Sequence, residues 1–146
     1  MHIDTFLNRL EKTRKTQNGF VFELGQKLQY ADFIAVENKL RITMPQRIKE
    51  FYSVANGIKT SNPDFKLIEL SSWTIDDGFI HFATFDLTNK IYFDINQLNQ
   101  AGEWTIINRV INYEITLTIS SFWSNKIWHW IEQRKKIWVD NWLTTD

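Results

Sequence analysis

The side chains of this chain that could do chemistry are few. Its three histidines are His2, His81 and His129. Metal motifs place histidines a few residues apart on one element, and no pair here has such a spacing. His81 lies inside the apolar run Phe79 to Phe85, where a packed or hydrogen-bonded imidazole is the ordinary outcome. There is no cysteine, so there is no disulfide, thiolate nucleophile or thiolate metal site. No Gly-x-Ser-x-Gly elbow occurs, and five glycines leave little material for a phosphate-binding loop. Carboxylate pairs remain. Acid–base work needs two environments that pull the pKa values apart. Asp76 and Asp77 are adjacent on a polar stretch, where side chains diverge and turn chemistry is the plainer reading. The expectation is a chain with no catalytic residues, no cofactor and no metal.

Charge narrows the partners. Seventeen basic and seventeen acidic side chains balance, which argues against a nucleic-acid partner. The acids are unevenly spread. Glu69, Asp76, Asp77, Asp86, Asp94 and Glu103 face Lys90 alone between residues 69 and 103. They read either as solvated loop charge or as a negative patch that steers a basic partner. Arg134-Lys135-Lys136 reads as cations at a helix C-terminus, with phosphate binding as the other possibility. Aromatics make up 15% of the chain, with seven tryptophans, enough for both a core and an interface. The candidate partner-binding residues are Trp73, Asp76 and Asp77 on one loop, then Asp86, Glu103 and Trp104.

The elements that must position these residues follow from periodicity. A chain of 146 residues is expected to form one domain over residues 1–146 and to bury about 70% of its unfolded surface. Ile3, Phe6, Leu7 and Leu10 mark a first helix over about residues 3–16. Phe20 to Leu24 reads as a short strand or an extended arm before Gly25. Phe33, Val36 and Leu40 form the stripe of a second helix, with Asp32 as its cap. Pro45 starts a third helix, because proline fits the first helical position, and Ile48, Phe51, Tyr52 and Ala55 are its buried face. Asn56-Gly57 stops it.

Ser61 to Asp64 is a turn. Strands are expected over 65–70, 79–85, 90–95, 104–108 and 114–119. The second of these is apolar on both faces, which suits a strand covered on two sides. With the third it forms a hairpin. A long helix from about Ser121 to Trp138, capped by Ser120 or Ser121, closes the chain. At about 100° per residue, Trp123, Ile127, Trp130, Ile131, Ile137 and Trp138 share one arc, and Trp128 falls about 60° outside it, towards the surface. Helices, then strands, then a helix predict an α+β fold with a largely antiparallel sheet. Asp4, Arg9 and Glu11 interrupt any apolar leader, and no run approaches the roughly 20 residues of a membrane span. A soluble cytoplasmic protein without membrane contact, monomeric or homodimeric, is expected.

The order of these pieces carries a resemblance. Glu37, Leu40 to Pro45, Ile48-Lys49-Glu50-Phe51-Tyr52 and Asn56-Gly57 resemble the opening signature of the Smi/Knr-type, or SUKH, superfamily. Ile80-His81-Phe82-Ala83 followed by Lys90-Ile91-Tyr92-Phe93-Asp94 is similar to its central hairpin, and Ile119-Ser120-Ser121-Phe122 to its closing segment. The resemblance spans about residues 30–135. It implies an α+β domain with a mixed sheet flanked by helices. It also implies an immunity protein that binds and neutralises a cognate protein toxin, often a nuclease. A non-catalytic scaffold or peptide-binding module is the alternative that the family offers. No catalytic residue comes with it; Pro45, Asn56, Gly57 and Asp94 are implied as architectural positions. An enzyme working through Asp76 and Asp77 is the third possibility.

Overall fold

The structure, a computed structural model, describes residues 3–144, so His2 lies outside the described residues. Helix α1 (Ile3–Thr16) buries Phe6, Leu10 and Thr13 and leads into strand β1 (Val21–Leu24). Helix α2 (Tyr30–Leu40) is capped by Gln29 rather than by Asp32. Asp32 is the third helical residue, and its carboxylate accepts the Gln29 N–H at 2.7 Å. The aspartate supplies the expected acceptor from the other side of a capping box.

Glu37 fixes the corner that follows. Its carboxylate accepts the Met44 N–H at 2.7 Å and pairs with Lys49 at 3.2 Å. Helix α3 (Gln46–Val54) has Pro45 as its N-cap, one position earlier than expected, and buries Ile48, Phe51 and Tyr52. It ends on Ala55 in extended conformation. Gly57 therefore does not cap the helix. Its φ of 103° turns the chain into the sheet, where a Cβ would meet the Leu67 carbonyl at 3.2 Å.

The remaining strands are β2 (Ile58–Ser61), β3 (Phe65–Leu67), β4 (Ile75–Asp76), β5 (Phe79–Phe85), β6 (Asn89–Asp94), β7 (Thr105–Asn108) and β8 (Tyr113–Thr116). Their order is β1-β2-β3-β5-β6-β7-β8, with β4 paired to β5. Every pairing is antiparallel. The fold is α+β, an open antiparallel sheet with helices packed against it. The strand expected over 65–70 stops at Leu67, and a 3₁₀ turn (Leu70–Ser72) follows.

The closing helix departs most from a uniform helical projection. It is an α-helical turn α4 (Ile119–Ser121), a π-helical stretch (Phe122–Lys126) and α5 (Ile127–Gln133). Its cap is Thr118, whose hydroxyl accepts the Ser121 N–H at 3.0 Å. It ends at Arg134 in left-handed conformation, so Ile137 and Trp138 lie beyond it. A π-helical turn holds more residues than an α-helical one, so positions after Phe122 fall out of phase with a regular projection. Trp128 is nevertheless buried, not at the surface, so the face that α5 covers with Ile127, Trp128, Trp130 and Ile131 is wider than the expected arc. Its indole donates to the Trp123 carbonyl at 2.8 Å, and its ring lies 5.4 Å from Phe6 with the Arg9 guanidinium 4.4 Å above it. Arg134 does cap the helix end, donating to the Ile131 carbonyl at 2.7 Å.

The core sits between the helices and the inner face of the sheet. Phe51 stacks on Trp123 at 4.1 Å and 4°, and both touch Phe6. Phe65, Phe82 and Phe85 from the strands meet Phe122.

Candidate functional site

The six candidate residues do not form one surface. Trp73 is 1% exposed and Trp104 4%, and their rings lie 6.5 Å apart in the core with Phe93 against both. The polar residues around Trp73 are a local signal. The ring itself is drawn inward by the apolar area it removes from water. Glu103 is 7% exposed, because its carboxylate accepts the Ile119 N–H at 3.0 Å. The start of a helix has N–H groups without partners, and a carboxylate there is favoured twice, by the bond and by the helix dipole. These three are corrected from surface anchors to interior residues.

Asp76, Asp77 and Asp86 remain exposed, at two ends of the sheet. Asp76 lies on β4, and Asp77-Gly78 is the tip of a two-residue hairpin, with φ of 53° and 80°. That tip is a hairpin turn rather than a polar loop, and Asp-Gly between apolar residues is the signal that announces it. Asp86 occupies the β5–β6 turn at the opposite end, with φ of 50°. The other acids of this stretch are engaged locally. Glu69 accepts from Ser72 at 2.9 Å, and Asp94 accepts the Asn96 N–H at 3.0 Å. Sequence clustering therefore does not become a single negative patch.

The outer face of the sheet presents a different set of residues. β5 carries a bulge between His81 and Ala83. The inserted residue puts His81 and Thr84, three apart, on one side, and His81 Nε2 lies 2.8 Å from Thr84 Oγ1. Phe82 and Ala83 both turn inward. The unbroken apolar run from Phe79 thus reflects a bulge, not a strand covered on two sides: His81 and Thr84 are only half-buried. Burial holds His81 below the ordinary histidine value, and the charges of Lys90 and Lys66 push the same way.

Beside His81 stands Tyr92, its partner in the β5–β6 register. Arg109 covers this pair's neighbourhood, 4.3 Å over Phe79 and 5.1 Å over Tyr92, and pairs with Asp76 at 3.1 Å. A groove of about 550 Å³ opens next to it, lined by Lys90, Tyr92, Arg109, Val110 and Ile111 among others.

A cationic row runs across the same face. Lys59 is directly opposite Lys66, Lys66 opposite Thr84, and Thr84 opposite Lys90. All three lysines are exposed. Among the described residues none of them forms an ion pair. Nothing in the composition announced this row, because its members come from three separate strands.

Among the described residues no group of three or more His, Asp or Glu is arranged to hold a metal ion. His129 bonds Gln133 and Asn125, each at 2.9 Å, and packs on Trp142. Among the described residues no helix is long and apolar enough to cross a membrane. No family model matches the chain, and no curated protein matches it.

Proposed function

We propose that this chain is an immunity protein of the SUKH type, which binds one cognate protein toxin and blocks it without catalysis. The observation that carries the reading is where the family-like residues fall. Glu37 locks the α2–α3 corner, and Pro45 caps α3. Asn56 accepts the Leu70 N–H at 2.9 Å, tying the end of α3 to the 3₁₀ turn after β3. Asp94 ends β6 and accepts two bonds from Asn96. Each residue sets a joint of the frame, which is the architectural role that the resemblance implies.

Such a frame inhibits by covering a partner's site, with aromatic anchors for affinity and charges for rate. The exposed sheet face supplies both kinds of residue: Phe79 and Tyr92 with Arg109, and the lysine row. The test is co-expression with the toxin encoded beside this chain. Protection of the cell and a stoichiometric complex are expected. A toxin that kills regardless, with no complex on size-exclusion chromatography, would overturn the reading.

A further inference from the structure

We infer that Lys59, Lys66 and Lys90 dock an acidic strip on the protein that this chain binds. The inference rests on the binding-protein reading above and adds the partner's surface chemistry. Cross-strand neighbours on one face lie within about 5.5 Å, and like charges placed directly opposite destabilise a sheet. Lys59 and Lys66 are such a pair, and neither forms an ion pair with a described acid, although Glu23 stands opposite Lys59 on its other side. Lys66 has a lysine on one side and Thr84 on the other, so nothing in register offsets its like-charge contact, as expected of a residue kept for something outside the fold.

The geometry defines what fits. Lys59, Lys66, Thr84 and Lys90 occupy β2, β3, β5 and β6, so the row crosses three strand spacings, about 14 Å in all. Its acidic neighbours lie at the margins. Glu23 is opposite Lys59 on the edge strand, and Asp64 and Asp86 sit in the turns beyond the row. Asp94 and Glu114 lie further along the strands, and Asp76 is taken by Arg109. The next residues inward are His81 and Tyr92, so the row borders an aromatic surface. Carboxylates aligned over this length, flanked by an apolar side chain, complement it. A nucleic acid is the weaker match, since the chain as a whole is neutral and three lysines neutralise few phosphates.

The test has two arms on the whole chain. Amide-resolved NMR follows titration with poly-L-glutamate and, separately, with duplex DNA. Binding of the neighbour-encoded toxin is measured for wild type, for Lys59→Gln/Lys66→Gln/Lys90→Gln, and for Lys12→Gln/Lys15→Gln/Lys39→Gln as an exposed-lysine control, with circular dichroism to confirm folding. Poly-L-glutamate is expected to shift Lys59, Lys66, Thr84 and Lys90. The row variant is expected to lose about tenfold or more in toxin affinity, and the control to change little. Full toxin affinity in the row variant would overturn this inference and leave the immunity reading standing. Polyglutamate shifts confined to the row, with no toxin bound by wild type, would support the row and remove the immunity reading. Shifts elsewhere, or preferential binding of DNA at the row, would overturn the inference.

Discussion

Strands β5 and β6 carry two faces that obey different rules. On the inner face Ile80, Phe82, Phe85, Ile91 and Phe93 are fully buried, and Phe82 stacks on Phe93 at 3.8 Å. On the outer face, one residue away along the same strands, stand His81, Thr84, Lys90 and Tyr92. The inner set is apolar, interlocked and aromatic, as burial requires. The outer set continues onto β3 and β2 as a like-charged pair in direct register. Glu23 opposes Lys59 on its other side, but Lys66 has no acid in register, where a sheet selected for stability alone would place threonine or an opposite charge. The contrast gives folding to the inner face, and the proposed recognition falls to the outer one.

The comparison breaks most visibly at the core. Phe51→Ala removes the ring stacked on Trp123 and should destabilise the fold by about 3–5 kcal/mol in chemical denaturation. A change below about 1 kcal/mol would mean that the helix layer is not the stabilising half. Glu37→Ala comes next. It strips an acceptor from the Met44 N–H and a partner from Lys49, with an expected loss of about 1–3 kcal/mol. Its effect separates the frame from the outer face, which it should leave unchanged in toxin binding per folded molecule.

On the outer face the sign reverses. Lys66→Thr relieves the Lys59 contact and should raise stability by about 0.2–1 kcal/mol. A loss of stability would show that the lysine stems, not the charges, dominate there.

The smallest effect is the pH response of His81. Its folded-state value lies below the unfolded one, about 6.5, so the unfolded state binds more protons. Stability from the neutral imidazole is therefore present above about pH 6.5 and is lost as pH falls through the lowered folded value. The groups facing it are Thr84, Tyr92, Lys66 and Lys90. His81→Gln should flatten the stability curve in that window, and parallel curves for the two proteins would exclude His81 as its source.

Much of the fold was legible because its signals are local. The Ile48, Phe51, Tyr52 and Ala55 stripe and the Ile91 and Phe93 alternation report burial directly. Three features were not legible. The closing helix carries a π-helical stretch, and its last turns bury Trp128 beside Ile127, Trp130 and Ile131 on a face wider than a single stripe. The bulge at Phe82 makes a one-sided strand read as two-sided. Trp73, Glu103 and Trp104 lie in polar surroundings along the chain but in the interior in space. The surface was the least legible part. Lys59, Lys66 and Lys90 are isolated in sequence, and only the register of four strands makes them neighbours.

The division of labour between the two faces is tested most directly by one variant measured twice. Lys59→Thr/Lys66→Thr is assayed for unfolding free energy and, in the same preparation, for affinity to the neighbour-encoded toxin. Stability at or above wild type together with weakened toxin binding is the predicted pair of results. Toxin affinity equal to wild type would contradict it, because the charged face would then have no partner to serve.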